Sequence, residues 1–428
     1  MGFDDSYTHI GTRNHCYAGE VPFGVGESDR LRHTHIIGQT GTGKSTLLKN
    51  IILQDIHAGR GCALIDPHGD LARDLLDHIP PARMRDVVYF NPSDLAHPPA
   101  FNLLQAVPPD ERDRVTANIV GTFRYLWADT WGSGRMQYIF KNTVAALLDY
   151  PSYSGTTLLG VPRMYSDPEY RRRIVEQIRN PSVRCFWEQE YRNYTKGYEA
   201  EAVAPIQNKV GQFLLSTVLR NILGQVKSTI DPAFIMNNRR IFIANLSKGE
   251  LGDDDANLLG SLLVTAFQSA AVNRASIPEE TRGIFHLFLD EFHCFTTEAF
   301  TSILSEARKY GLSLTLAHQY LDQMQDEVRS AVLGNVGTIL CFRIGGTDAR
   351  ELAPHLSPLS ATTLEELSNG EVGARILVDG EPQTFIGRTR VPQFAHYGRG
   401  DRLIAYSRSR YTRPRSQVEG KIVKWLRG

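Results

Sequence analysis

The 428-residue sequence lacks a long apolar run. No stretch approaches the ~18 residues that a membrane-crossing helix needs. The start, Met1-Gly2-Phe3-Asp4-Asp5, has the character of neither a secretory signal nor a transit segment. A cytoplasmic protein is therefore expected, with no membrane span of its own and docked at most peripherally on a membrane complex. Cysteine is scarce as well: Cys16, Cys62, Cys185, Cys294 and Cys341 are scattered, with no C-x-x-C pair. That excludes a disulfide scaffold and a zinc knuckle. Cys62, Cys294 and Cys341 lie in or beside apolar, strand-like runs and are expected as buried thiols. Charge of one sign is also missing, since 47 basic residues face 47 acidic ones. No overall field announces a nucleic-acid partner. The distribution is less even, because Arg399, Arg402, Arg408, Arg410, Arg413, Arg415, Lys421, Lys424 and Arg427 crowd the end against Asp401 and Glu419. Such a tail can contact phosphates, an acidic partner or solvent. Residues 418–426 add apolar spacing that suits a helix docked on the body.

What is present begins with Gly38-Gln39-Thr40-Gly41-Thr42-Gly43-Lys44-Ser45-Thr46, a full match to G-x-x-x-x-G-K-[ST]. Its context fits, with the strand-like His33-Thr34-His35-Ile36-Ile37 before it and an apolar-faced helix after it. Glycines let the backbone wrap a phosphate closely, and amides at the helix start point at the anion. Lys44 would reach the β- and γ-phosphates of a nucleoside triphosphate, and the Ser45 hydroxyl would ligate Mg²⁺.

Strand–helix alternation continues with Cys62-Ala63-Leu64-Ile65-Asp66 and Asp86-Val87-Val88-Tyr89-Phe90. Asp66 at a strand end could face the ligand crevice or cap the next helix. Arg30, Arg32, His33 and His35, around the first strand, read as solvated strand-edge charge. From residue 110 the alternation stops, and amphipathic stretches rich in aromatic residues (Phe123, Trp127, Trp131, Tyr138, Trp187, Tyr191, Tyr198) take over. These residues read mostly as core, with stacking on bases the lesser reading because no basic-aromatic interleaving stands out. Gly132-Ser133-Gly134-Arg135 reads as a tight loop in which Arg135 could be a remote charge partner. The expected organisation is an N-terminal arm (1–30), an α/β domain (31–109 and 236–395), an inserted all-α domain (110–235) and a basic tail with a helix (396–428).

The α/β pattern resumes at Arg240-Ile241-Phe242-Ile243-Ala244-Asn245-Leu246. Ile284-Phe285-His286-Leu287-Phe288-Leu289-Asp290-Glu291 then reads as a buried parallel strand ending in two acids. Asp290 would hold Mg²⁺ through water, and Glu291 would polarise the attacking water. Gln319, ending the next strand, can hydrogen-bond both that water and the γ-phosphate. Arg308 could reach a neighbouring subunit's nucleotide or sit in a surface salt bridge. About 245 residues separate Lys44 from the acids, and the helical insertion accounts for much of that distance.

These elements, with Asp66-Pro67-His68-Gly69-Asp70, Glu306-Ala307-Arg308-Lys309-Tyr310-Gly311, His318-Gln319 and Phe342-Arg343, occur in an order that resembles the TraG/TraD-type coupling ATPases. Those belong to type IV secretion and conjugation, within the HerA/FtsK class of P-loop translocases. The resemblance implies a RecA-like core with a mainly parallel sheet, a homohexameric ring, and ATP with Mg²⁺ bound between subunits. It also implies DNA, single- or double-stranded and read with little sequence preference, threaded through a central channel. It raises Arg308 to a finger acting in trans, with Arg343 as second candidate. A secretion channel, a relaxase or a nuclease is the implied partner. The lack of transmembrane helices departs from the membrane members of the group. It leaves open a secretion ATPase for protein or pilus subunits, a DNA-processing or defence motor, or a nucleotide-gated assembly protein. Lys248 and the segment 295–297 are candidate channel-loop residues.

Overall fold

The computed structural model describes residues 7–15, 19–127, 134–151 and 155–427; Cys16, Trp131, Gly132 and Ser133 lie outside the described residues. The first strands are β1 (Tyr7–His15), β2 (Gly19–Gly26), β3 (Thr34–Ile37), β4 (Gly61–Asp66) and β5 (Val87–Phe90). After the helical insertion come β6 (Ile241–Asn245), β7 (Phe285–Leu289), β8 (Leu312–His318), β9 (Thr338–Cys341), β10 (Glu371–Val378) and β11 (Glu381–Thr389). They form one sheet in the order β2-β1-β11-β10-β9-β3-β8-β7-β4-β6-β5. From β9 to β5 every pairing is parallel. These seven strands are buried along their whole length. Their near-continuous apolar sequences reflect cover on both faces.

Alternate residues feed the two faces. Cys62 and Leu64 join Leu47, Leu48, Ile51 and Ile52 of the helix Lys44–His57. Ala63 and Ile65 face the other way, toward the helix Asp253–Asn273 and the insertion. Residues 110–235 contain only helices among the described residues. Their core is continuous with that of the sheet: Ile119 and Phe123 pack in one cluster with Leu262 and Phe267. The Thr122 and Thr265 hydroxyls meet at 3.1 Å. Phe123, Phe186, Trp187 and Tyr191 are buried, as a core reading requires, whereas Tyr138 is 45% exposed and lies outside that core. Arg135 lies over the Tyr198 ring, 4.9 Å from its centroid.

Three stretches differ from expectation. Tyr7–His15 and Gly19–Gly26 are not a free arm, because β1 pairs with β2 and with β11 and extends the sheet. The Val21-Phe23-Val25 alternation carries that strand signal, and Phe23 and Val25 are buried. The charges around β3 are not at an edge either. Strand β3 is central, and Arg30, His33 and His35 are each no more than 2% exposed. Arg30 clamps Asp55 with two bonds of 2.6 and 2.8 Å, and Arg60 adds a third at 3.0 Å. Burial raises the Asp55 carboxyl, but the Arg30 charge overturns that and holds it at about 2. The basic tail forms two helices, Gly400–Tyr411 and Arg415–Leu426. The first covers the edge strand β5, with the Tyr89 amide donating to Ser407 Oγ at 2.8 Å.

Candidate active site

The phosphate loop connects β3 to the helix Lys44–His57, and its shape is set by backbone that only glycine adopts easily. Gly41 has φ +79° and Gly43 has φ +124°. A Cβ on Gly38 would lie 2.5 Å from Phe342 Cβ, so the loop sits close against the end of β9. There the Gln39 amide donates to the Arg343 carbonyl at 2.9 Å, and Thr42 Oγ1 donates to the Gln39 carbonyl at 2.7 Å. The first bond inside the helix runs from the Leu47 amide to the Gly43 carbonyl. The amides of Lys44, Ser45 and Thr46 are thereby left for an anion. Ser45 and Thr46 are exposed beside the loop.

Parallel pairing brings the acids to the same sheet edge. Strand β7 pairs with β8, and β8 with β3, so Asp290, Gln319 and Gly38 follow neighbouring strand ends. Asp290 and Glu291 are both 5% exposed. Burial, and then the charges of Asp66 and Glu291, push Asp290 up to about 7. Burial lowers the Lys44 ammonium, against the pull of Glu291 and Asp290. Lys44 Nζ donates to the Gly38 carbonyl at 2.6 Å and to the Gln39 carbonyl at 3.1 Å.

The three motifs are joined directly. Thr40 Oγ1 donates to Gln319 Oε1 at 2.9 Å, and Gln319 Nε2 donates to Glu291 Oε1 at 2.9 Å. Glu291 itself has φ +44°, a left-handed conformation rare for a side chain of that size. Strain of this kind gathers where the surroundings over-determine a functional residue. Gln323, which spacing did not single out, accepts the Gln319 amide at 3.0 Å through its Oε1. His293, likewise unforeseen, stands with Nδ1 3.5 Å from Glu291 Oε2. No motif signals these two, and only the turn after β7 and the fold bring them in.

The remaining candidates separate. Asp66 caps: its oxygens accept the His68 and Ala72 amides, each at 2.9 Å. Arg308 is exposed in the turn before β8 and makes no ion pair among the described residues. Strand β8 has seven residues, so about 20 Å separates Arg308 from the phosphate-loop edge of its own chain. Arg343 meets its own phosphate loop through its backbone carbonyl, while its side chain reaches Asn369, with Nη2 3.4 Å from Oδ1. The segment 295–297 is buried and cannot line a channel; Lys248 Nζ donates to Cys294 Sγ at 3.0 Å. Cys62 and Cys341 are buried, Cys294 is half-buried and Cys185 is exposed.

An anion cradle, one lysine and converging carboxylates fit a phosphate-bearing ligand with a divalent cation. The crowding of Asp66, Asp290 and Glu291 that raises Asp290 is what such a cation relieves. Among the described residues no group of three or more His, Cys, Asp or Glu could hold a metal by itself. Ser45 and Asp290 would therefore have to share it with phosphate oxygens.

Comparison with known proteins agrees with this layout. Residues 13–119 match the family model described as "Helicase HerA, central domain", and residues 285–365 match "TraM recognition site of TraD and TraG". No curated protein sequence matches the chain. Among solved structures, the bacterial conjugative coupling protein TrwBdeltaN70 in its unbound monoclinic form superposes with a TM-score of 0.61 at 15% identity, over 88% of each chain. Plasmid coupling protein TrwB in complex with ADP and Mg²⁺ does so at 0.61 and 17%, again over 88% of each chain. VirB4 of Thermoanaerobacter pseudethanolicus gives 0.56 at 16%, over 91% of this chain and 97% of that one. No helix among the described residues is long and apolar enough to cross a membrane. The TraG/TraD-type resemblance is thus borne out: the chain has a P-loop fold similar to that of the coupling protein TrwB, and two of its segments match the HerA central-domain and TraD/TraG family models.

Proposed function

We propose that the chain is an ATP-driven motor of the coupling-protein type, which hydrolyses ATP to move DNA through the centre of a homohexameric ring. The observation that carries the reading is the hydrogen-bonded chain Thr40–Gln319–Glu291, which ties the phosphate loop to the base. Lys44 and the amides of residues 44–46 bind and orient the β- and γ-phosphates of ATP. Glu291 takes a proton from the water that attacks the γ-phosphorus as the bond to the ADP oxygen breaks. Gln319, already on Glu291, hydrogen-bonds that water and reports whether phosphate is there. Ser45 and Asp290 would hold Mg²⁺ together with the phosphates, and the ion would supply positive charge to the phosphate oxygens. Arg308, too far from its own site, meets the nucleotide of a neighbouring subunit and stabilises developing charge. Within this reading the organisation keeps residues 31–109 and 236–395 as the motor and 110–235 as the substrate- or adaptor-facing part. The likeness to TrwB, a conjugative coupling protein, and to the TraD and TraG family model supports the DNA reading.

A second reading is an ATPase that moves protein or pilus subunits, since VirB4 shares the fold. Steady-state ATP hydrolysis with and without single- and double-stranded DNA separates the two. Stimulation by DNA, lost in Glu291→Gln and in Arg308→Ala and partly restored when the two variants are mixed, is the expected result. Hydrolysis indifferent to DNA would sink the DNA motor and leave the second reading.

A further inference from the structure

We infer that His293 is a positioning residue for the Glu291 carboxylate, donating its Nδ1–H to Oε2, and that Gln323 sets the tautomer that makes this possible. The inference rests on the hydrolysis reading above. Glu291 Oε2 and His293 Nδ1 are both buried, and neither has a hydrogen-bond partner among the described residues. They face each other at 3.5 Å, about half an ångström beyond an ordinary N–H···O bond. A buried carboxylate oxygen left bare is costly, and a small closure satisfies both atoms at once. Hydrogen bonds at active sites commonly tighten in this way when the reacting complex forms.

The direction of the proton follows from the neighbours. Gln323 Oε1 accepts the backbone amides of Gln319 and Tyr320 at 3.0 and 3.2 Å. Backbone amides only donate, so the atom there is the oxygen, and the amide nitrogen is the end that meets His293 Nε2 at 3.4 Å. That nitrogen donates, which makes Nε2 the acceptor. Cys294 Sγ is also 3.4 Å from Nε2. Lys248 Nζ donates to that sulfur, which leaves the thiol hydrogen for the imidazole. The ring hydrogen of a neutral His293 therefore sits on Nδ1, aimed at Glu291. Burial, the largest influence on His293, lowers its pKa and favours this neutral form. Gln323 thus holds both supports of the base: Gln319, which donates to Oε1, and His293, which faces Oε2. Together they fix a side chain whose backbone sits at φ +44°.

The test uses His293→Leu, which removes the donor, His293→Asn, which keeps an N–H near the Nδ1 position, and His293→Gln, which moves it toward Nε2. In the full chain, Leu and Gln are expected to lower kcat by about tenfold or more, with KM and the affinity for a fluorescent ATP analogue within about twofold. Asn should recover kcat to within about threefold of wild type, and Leu should add no further loss in a Glu291→Gln background. A Leu variant with wild-type kcat, or an Asn variant as slow as Leu, would overturn the inference. A wild-type chain that turns over no ATP would instead overturn the hydrolysis reading. Long-range ¹H–¹⁵N spectra of histidine-labelled protein need no turnover. They should show His293 as the Nδ1–H tautomer and lose that preference in Gln323→Leu; an Nε2–H tautomer in wild type contradicts the assignment.

Discussion

Glu291 shows what a single residue contributes here. Its left-handed backbone turns the carboxylate back toward Gln319 at the end of the neighbouring strand. Removing Gln319 breaks two bonds, one to Thr40 and one to Glu291, whereas removing the Thr40 hydroxyl breaks one. Gln319→Leu should therefore lower kcat by about 10²-fold and Thr40→Val by less than about tenfold. Steady-state turnover at saturating ATP checks the ranking, and equal losses would mean that the chain of bonds does not act through Glu291. Lys44, Ser45, Asp290, Glu291 and Gln319 were legible because each lies at a fixed offset from a motif or a strand end. His293 and Gln323 were not, since they lie 30 residues apart and meet only when β7 and β8 pair.

At the scale of elements, the phosphate loop and the helix behind it depend on different physics. Gly43→Ala would force a side chain into φ +124° with its Cβ 3.0 Å from the Phe342 ring. The strain falls on the loop, so loss of nucleotide binding is expected with Tm lowered by only a few degrees, on the order of 1 kcal/mol. Calorimetry and nucleotide titration on one sample test both parts. Asp55, inside the helix, holds Arg30 and Arg60 in the interior. Asp55→Asn leaves the buried Arg30 charge without its carboxylate, while Arg60 keeps Glu27, and should cost about 3–5 kcal/mol in a denaturant unfolding series. Apolar strand runs and helix starts were readable from the sequence. The polar network around Asp55 was not, because alternating charge looks the same on an edge strand and on a central one.

The whole molecule carries an acid-sensitive interior. Burial lowers His33 to about 4 and His35 and His286 to about 3, from an ordinary 6.5. Below pH ~6.5 the unfolded chain binds protons that the native state refuses. The stability tied to these histidines is therefore full above that pH and falls as pH drops toward ~4, by about 1.4 kcal/mol per pH unit for each. Asp290, raised to about 7, takes up a proton in the native state and offsets about one of them. Urea midpoints at pH 7.5, 6.5 and 5.5 should fall in that order. Neither ring nitrogen of His286 has a partner among the described residues. His286→Leu should flatten the slope by one proton, and an unchanged slope would show that His286 takes no part. At the same scale, the Gly400–Tyr411 helix covers β5, the edge strand at one end of the sheet. Removing residues 399–428 should yield aggregation visible by size exclusion.

The sequence by itself determined the parallel half of the sheet, the helical character of residues 110–235 and the motif residues of the site. Those depend on periodicity and on contacts within a few residues of one another. Only the tertiary structure decided that Tyr7–His15 and Gly19–Gly26 complete the sheet and that Arg30 and His35 are interior. It also decided that the Arg343 carbonyl meets the phosphate loop and that His293 faces Glu291. Each of those depends on which strand lies beside which, and pairing between strands hundreds of residues apart leaves no local mark in the chain.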